Sequence, residues 1–256
     1  MSSDPSSAES SQPSPLKSYQ IDLIDKAMSC EALKFGSFTL KSGRISPYFF
    51  NAGLLSTGPI LSILSEAFAA TIVAAQQPSS SNPDDSTPIP PFDVLFGPAY
   101  KGIAFAAITA LVLHTVHRDT SNIISSNPET GIGFAYNRKE IKSHGEGGSL
   151  VGSSVSNKKV VILDDVMTAG TAVREAIDIV RKEGGEVVGV IQLLDREEVG
   201  KDGASSTVHE VEGIIGKGRV KSILRMRDLI AWLKSKGMQK ELEDMEEYRS
   251  KYGLKD

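Results

Sequence analysis

Residues Lys159–Lys182 read KVVILDDVMTAGTAVREAIDIVRK, an apolar run followed by a loop of small residues and a helix-forming segment. The apolar run Lys159–Leu163 predicts a buried β-strand. The segment from Thr171 to about Lys182 predicts an α-helix. A strand, a short loop and a helix in this order form the repeating unit of a parallel sheet. The rest of the chain is interpreted outward from this unit.

The remainder of the chain continues the alternation of short apolar strands with helices. Further strands are expected at Phe92–Phe96, Ile132–Tyr136, Glu186–Leu194 and Val220–Leu224. The strands are apolar nearly throughout and are separated by helices, for example at about Ile103–Leu113. This pattern predicts an α/β fold with a mostly parallel central sheet flanked by helices. Ligands of such sheets bind at the carboxyl ends of the strands.

The outer segments frame one domain, predicted to span residues 16–256. Residues 1–15 are rich in Ser and Pro and predict a disordered tail. A helix and two short strands that turn at Ser42–Gly43 precede a helix expected from Gly58 to about Ala75. Residues 76–91 predict a surface insertion. Charged amphipathic helices are expected between Asp228 and Tyr252.

The loop that follows Lys159–Leu163 carries the chemistry of the predicted site. Asp164 and Asp165 stand at the end of the strand, and Met167–Thr171 offers hydroxyls, small side chains and backbone N–H groups. The start of a helix binds phosphate well, and carboxylates accept hydrogen bonds from ribose hydroxyls. The two acids alone fit an ordinary capped turn equally well, but the complete loop favours a sugar-phosphate site. The sequence has no GxxxxGK[ST] and no GxGxxG after a strand, which argues against P-loop and dinucleotide sites.

The segment Val161–Ala172, VILDDVMTAGTA, resembles the 5-phosphoribosyl-1-pyrophosphate (PRPP) binding motif of type I phosphoribosyltransferases. The resemblance implies the fold of that family, and it leaves the acceptor base open. The residues that it assigns to PRPP are Asp164, Asp165, Val166, Met167, Thr168, Ala169, Gly170, Thr171 and Ala172.

Four further segments are similar to orotate phosphoribosyltransferases. They are Thr39–Asn51, Phe96–Gly102, Asn137–Gly148 and Leu194–Glu197. The similarity implies an N-terminal hood at about 16–57, and it implies that orotate is contacted by Phe49, Phe50, Thr168 and Arg196. These residue types suit orotate, because a flat anion needs aromatic surface and a cation that grips a carboxylate. Strand packing is the alternative role for the two phenylalanines.

A cluster of basic groups follows the strand predicted at Ile132–Tyr136. Arg138, Lys139, Lys142 and His144 fall within one short stretch of a chain whose net charge is −4. The glycines that follow predict a mobile lid at about 139–150, with a solvated charge run as the alternative. In the family this lid serves the neighbouring subunit, which implies a homodimer. The resemblance also assigns Tyr100, Lys101 and Lys41 to PRPP.

The implied reaction joins orotate to PRPP and gives orotidine 5′-monophosphate and pyrophosphate. It requires positioning and charge stabilisation more than covalent chemistry from the protein. The catalytic residues expected are Lys142, Lys101, Asp164, Asp165 and Lys41. The implied cofactor is Mg²⁺, held mainly through the pyrophosphate of the substrate, and no residue is assigned as a metal ligand.

Two alternative functions are open to a chain of this fold. A purine or uracil phosphoribosyltransferase would share the ribose motif but not the hood or Arg196. A regulator that binds nucleic acid would need a basic face, which a net charge of −4 disfavours. We therefore expect no nucleic-acid partner. We expect no membrane partner either, since the apolar run Ile60–Ala75 is interrupted by polar residues. The single cysteine, Cys30, is typical of a reducing compartment and predicts a cytoplasmic location.

Overall fold

The computed structural model describes residues 15–40, 42–77, 87–117, 124–127, 129–142, 148–200 and 205–254, with the backbone alone at 141, 142 and 148. A 3₁₀ turn at Ala52–Leu54 follows the second strand. The helices and strands, in chain order, are α1 Ser18–Ser29, β1 Leu33–Thr39, β2 Ile45–Phe50, α2 Gly58–Ala75, β3 Val94–Gly97, α3 Lys101–Thr115, β4 Gly133–Lys142, β5 Gly148–Gly152, β6 Lys159–Asp164, α4 Thr171–Lys182, β7 Glu186–Asp195, α5 Thr207–Ile215, β8 Val220–Arg225, α6 Met226–Lys236 and α7 Gln239–Tyr252.

The larger sheet has the strand order β5-β4-β3-β6-β7-β8. The pairs from β4 through β8 are all parallel, and β5 adds one antiparallel strand at the edge. The predicted mostly parallel α/β sheet is therefore confirmed. β6 lies inside the sheet, so its carboxyl end is flanked by the ends of β3 and β7. That placement puts the loop after β6 where ligands of this fold class bind.

Side chains alternate along the central strands and divide the core into two layers. On β6, Val161 and Leu163 join the larger cluster, which is covered by α1, α2, α3, α6 and α7. Val160 and Ile162 point into the smaller cluster, where α4 and α5 pack. Each of these four side chains is fully buried. Strands buried on both faces explain the continuous apolar runs in the sequence.

Helix α2 confirms the helix expected from Gly58 to about Ala75. By length and composition it is apolar enough to cross a bilayer, with a mean hydropathy of 1.6. Half of that window is buried inside the fold, and Leu64, Phe68 and Ile72 belong to the core. Core helices of globular folds can have the same length and apolar composition, and α2 occupies such a core position.

Two predicted surface segments contain more structure than the sequence indicated. β4 continues past Tyr136 to Lys142 and pairs with β5, so the described ends of the predicted lid are strands. The insertion at 76–91 stays a prediction, and near its end Ile89 is only 2% exposed. Its side chain fills the space above Gly189, where a Cβ would lie 2.7 Å from Ile89 Cδ1. Ile89 is an apolar residue inside a polar stretch, and this was the sequence signal for its burial.

The first turn of α3 approaches the end of β3 very closely. A Cβ on Gly97 would lie 2.0 Å from the carbonyl oxygen of Gly102. A Cβ on Gly102 would lie 2.9 Å from the carbonyl oxygen of Leu163 and 2.7 Å from Pro98 Cδ. Backbone atoms on both sides cannot move aside, so the two glycines set the distance between α3 and the strand ends.

We expect Gly102→Ala to lower the free energy of unfolding by about 3 kcal/mol, because the added methyl group overpacks a rigid backbone contact. The measurement is urea unfolding followed by circular dichroism. Gly213→Ala in α5 is the matched control, since a Cβ there meets no atom within 4 Å and the residue is exposed. The control should gain up to about 1 kcal/mol from helix propensity. Equal stabilities for the two variants would contradict the close contact.

Candidate active site

The carboxyl end of β6 carries the two adjacent carboxylates predicted from the sequence. Asp164 is the last residue of the strand and is 7% exposed. Asp165 begins the loop, and its carbonyl oxygen accepts hydrogen bonds from the amides of Leu193 and Leu194 at 2.9 and 3.0 Å. The neighbouring strand therefore fixes the backbone from which both carboxylates project.

The environment of Asp164 favours its neutral form. Burial, and after it the adjacent charge of Asp165, raise the pKa of this carboxyl to about 6. Lys101 opposes this rise in pKa. Its ammonium forms an ion pair with Asp165, with 2.5 Å between Nζ and Oδ2. Two carboxylates and one ammonium thus share the site, and the more buried acid, Asp164, is the one whose negative charge is disfavoured.

Lys101 reaches the carboxylates from the end of β3. The strand ends at Gly97, and α3 begins at Lys101, so the connecting turn is very short. The amide of Ala99 donates to Asn137 Oδ1 at 2.8 Å, which ties the turn to β4. The peptide bond between Ala99 and Tyr100 is cis, and the Tyr100 side chain is 74% exposed. The structure thus brings Lys101 to the acids and leaves the Tyr100 ring open to ligands.

The loop between Asp165 and α4 is held from outside. Thr207 donates its hydroxyl proton to the carbonyl oxygen of Thr168 at 2.8 Å, and Arg174 donates to the carbonyl oxygen of Ala169. Gly170 has φ of 66°, a left-handed conformation that favours glycine. A Cβ there would also lie 2.6 Å from Thr207 Cγ2. The loop is therefore shaped before any ligand arrives.

The start of α4 has the properties of an anion site. Its N-cap is Gly170, which has no side chain to satisfy the first amides of the helix. Thr168, Ala169, Thr171 and Ala172 are exposed around these amides, while Met167 is buried. Free amides and the helix dipole favour a phosphate group at this position. Met167 can contribute only through its backbone, and its amide donates to Gln192 Oε1 at 3.3 Å.

Arg196 lies beyond the carboxyl end of β7, on the same edge of the sheet as the two acids. Its Nε donates to Glu198 Oε1 at 2.7 Å, and its Nη2 donates to Ser46 Oγ at 3.0 Å. Its guanidinium carbon stands 4.4 Å from the centre of the Tyr48 ring. The side chain is 11% exposed. Arg196 is thus clamped between β7 and the β1–β2 hairpin.

The two phenylalanines predicted to meet the base lie on β2. Phe49 is 42% exposed and packs on Phe38, with 5.6 Å between the ring centres. Phe50 is half-buried and packs against the core. The alternation of the strand therefore separates them, so that Phe49 alone offers an exposed ring, whereas Phe50 also has the packing role considered as the alternative.

The basic cluster begins on β4. Arg138 is half-buried and Lys139 is exposed. The backbone of Lys142 ends the strand and pairs in register with Gly148 of β5. Lys41, His144 and the side chain of Lys142 lie outside the described parts of the chain.

Sequence reasoning missed the residues that support the site from behind. Asn137, Arg174, Gln192 and Thr207 each hold a loop through the hydrogen bonds given above. Asn137 lies in a segment similar to the family, but no role was predicted for it, and the other three lie outside the quoted motifs. Gln192 is the exception that could have been found, because it is the polar residue inside the apolar run VVGVIQLL. It is 1% exposed and its amide also donates to Ser222 at 3.0 Å.

Comparisons with known proteins agree with this geometry. The family "Phosphoribosyl transferase domain" matches residues 67–211. An orotate phosphoribosyltransferase of Acinetobacter baumannii is 43% identical over 94% of this chain and 99% of its own length. One from Coccidioides immitis is 44% identical over 93% of this chain and 98% of its own.

A solved structure of orotate phosphoribosyltransferase from Francisella tularensis has the same fold. It superposes with a TM-score of 0.72 and is 33% identical, covering 91% of this chain and all of that one. The chain therefore belongs to the phosphoribosyltransferase family and, within it, to the orotate phosphoribosyltransferases.

Proposed function

We propose that the protein transfers the phosphoribosyl group of PRPP to orotate, in the synthesis of pyrimidine nucleotides. The bond between the ribose C1 and the pyrophosphate oxygen breaks, and a bond between C1 and a ring nitrogen of orotate forms. The products are orotidine 5′-monophosphate and pyrophosphate. The observation that carries the proposal is the pair Asp164–Asp165 beside a helix start that has free amides. Nearly full-length relatives named orotate phosphoribosyltransferase support it.

The phosphoribosyl donor fits the loop between β6 and α4. The 5′-phosphate binds the amides around Thr168–Ala172, and the ribose hydroxyls donate to Asp164 and Asp165. As pyrophosphate leaves, positive charge develops on the ribose ring, and nearby carboxylates stabilise that charge. Val166 and Met167 contribute backbone and packing.

The leaving group requires positive charge at the opposite end of the donor. Lys101 already lies at the site, paired with Asp165, and it can turn to the pyrophosphate when the ribose takes its place. Arg138, Lys139, Lys142, His144, Tyr100 and Lys41 complete this set in our proposal. Closure of the lid would exclude water from a reactive ribose.

Magnesium fits this arrangement as an ion carried by the substrate. Among the described residues there is no cluster of three or more His, Cys, Asp or Glu side chains that could hold a metal ion. Mg²⁺ is commonly bound by one or two carboxylates together with substrate phosphates. Asp164 and Asp165 can supply such carboxylates. Held there with the substrate, the ion would supply positive charge near the pyrophosphate.

The base fits between β2 and the end of β7. Arg196 is the cation for the orotate carboxylate, Phe49 offers the exposed ring, and Phe50 and Thr168 complete the contacts that we propose. We further propose a homodimer in which the lid of one subunit serves the site of its partner, and a cytoplasmic location. No nucleic acid or membrane is part of the proposed function.

The function is tested by following orotate absorbance with the purified protein, PRPP and Mg²⁺. We expect consumption of orotate and formation of orotidine 5′-monophosphate, with the rate falling when Mg²⁺ is removed by a chelator. Hypoxanthine and uracil serve as alternative acceptors. Turnover of either one without turnover of orotate would overturn the choice of base, while retaining the phosphoribosyl donor.

The lid is tested by Lys142→Ala. Loss of one major charge-stabilising group should lower kcat by roughly a hundredfold or more. Lys182→Ala removes an equal charge from the exposed end of α4, and it should leave kcat unchanged. Steady-state kinetics with both substrates saturating make the comparison. A kcat of Lys142→Ala close to that of the control would refute the lid.

The buried carboxyl of Asp164 predicts a conflict between stability and function. Its pKa of about 6 lies above the ordinary value of 3.8, so the folded chain holds this proton more tightly than the unfolded chain does. Raising the pH from about 4 to about 6 should therefore lower the free energy of unfolding.

Asp164→Asn should be more stable than the parent protein at about pH 8, by about 1–3 kcal/mol, and should lose that advantage near pH 4. It should also lose most activity. The control is Asp178→Asn on the exposed face of α4, which should show no such pH dependence. Urea unfolding at the two pH values measures the difference, and a variant less stable than the parent at pH 8 would contradict the cost of burial.

A further inference from the structure

The Glu198 carboxylate is a meeting point for three side chains from distant parts of the chain. Arg196 Nε donates to its Oε1 at 2.7 Å, and the Tyr248 hydroxyl donates to the same oxygen at 3.0 Å. Arg44 Nη1 donates to Oε2 at 3.3 Å. The side chain of Glu198 is 14% exposed. Both carboxylate oxygens are thus engaged, and the group is shielded from solvent.

These contacts fix the orientation of Arg196. Glu198 holds Nε, and Ser46 accepts from Nη2 at 3.0 Å. Ser46 is fully buried and donates its own proton to the carbonyl oxygen of Tyr48 at 2.7 Å, so its oxygen is set up as an acceptor. The Tyr48 ring covers one face of the guanidinium. A guanidinium has five N–H groups, so Arg196 keeps others for an incoming carboxylate.

The charges of the cluster suit a single anion. Arg44 and Arg196 carry two positive charges, and Glu198 offsets one of them. Without Glu198, both guanidinium groups would lose their shared carboxylate, and Arg196 would be held only by Ser46 and the Tyr48 ring. With Glu198 present, the remaining charge matches one carboxylate, and the fork geometry of Arg196 favours a planar one.

Tyr248 brings the C-terminal helix into this cluster. It lies on α7, and the end of the helix is tied to the segment that follows β7. The amide of Val199 donates to the carbonyl oxygen of Tyr252 at 3.0 Å, and the amide of Leu254 donates to that of Glu197 at 2.8 Å. α7 is thereby held where the Tyr248 hydroxyl reaches Glu198.

We infer that Glu198 and Tyr248 are positioning residues that hold Arg196 in the orientation required to bind the carboxylate of orotate. The inference rests on the proposed role of Arg196 and extends it to two residues that do not touch the base. Its consequence is selective: the variants should weaken the use of orotate and leave the use of PRPP intact, because the donor site lies at β6 and α4.

The test measures KM for orotate, KM for PRPP and kcat in two variants. Tyr248→Phe removes one hydrogen bond and no charge, and it should raise KM for orotate by about two- to tenfold. Glu198→Ala leaves two guanidinium groups unpaired and should raise it by more than tenfold. KM for PRPP should stay within about twofold of the parent value in both. Tyr248→Phe keeps the test decisive if Glu198→Ala fails to fold.

Two controls separate the possible outcomes. Tyr19→Phe, a change of the same size in α1, should leave all three constants unchanged. Arg196→Ala should raise KM for orotate at least as much as Glu198→Ala does. If Arg196→Ala leaves KM for orotate unchanged, the proposed base site is wrong and the inference falls with it. If Arg196→Ala raises it and the other two variants do not, the inference alone is wrong.

The direction of the change also decides between two roles for Glu198. A fall in KM for orotate in Glu198→Ala would show that Glu198 competes with the substrate for Arg196, which overturns positioning. An equal rise of KM for orotate and for PRPP, together with a lower melting temperature, would show a structural role and would overturn it as well. A rise confined to orotate supports positioning.

Discussion

Two carboxylates on consecutive residues, at the end of a strand buried on both faces, cannot both be ionised without compensation. The rest of the donor site can be understood as the response to that constraint. Lys101 supplies one positive charge, and the two glycines at the start of α3 allow that helix to bring it close enough. The part of the charge repulsion and burial that Lys101 does not offset raises the pKa of Asp164. A ligand whose hydroxyls donate hydrogen bonds to the carboxylates would lower that cost.

The base end of the site follows a different principle. There the charged groups are already paired within the protein, since Glu198 holds Arg196 and Arg44. The donor end has two carboxylates and one ammonium, so negative charge is in excess there. Among the groups of this cluster, the base end has two guanidinium groups and one carboxylate, so positive charge is in excess. The two ends of the proposed site thus discriminate between the ribose and the anionic base before any contact specific to orotate is made.

The local parts of this molecule were predictable from sequence, and the non-local parts were not. The run Lys159–Lys182 contains its own strand, loop and helix, so residue order alone indicates the donor site. The extension of β4 into a hairpin with β5, the helix α5 and the burial of Ile89 depend on neighbours far away in the chain. Arg196 was found through a motif. Its partner Glu198, two residues further on, was not predicted, because the tyrosine and the arginine that contact it come from α7 and from the β1–β2 hairpin.

The contact between Arg44 and Glu198 joins residues 154 positions apart, and that between Tyr248 and Glu198 joins residues 50 positions apart. The loop between β6 and α4, by contrast, is held by contacts to Gln192 and Thr207 that span 25 and 39 positions. Closing a longer loop costs more chain entropy. The contact of the β1–β2 hairpin with Glu198 therefore has the largest entropic cost among these contacts, and the proposed base site depends on it more than the proposed phosphate site does.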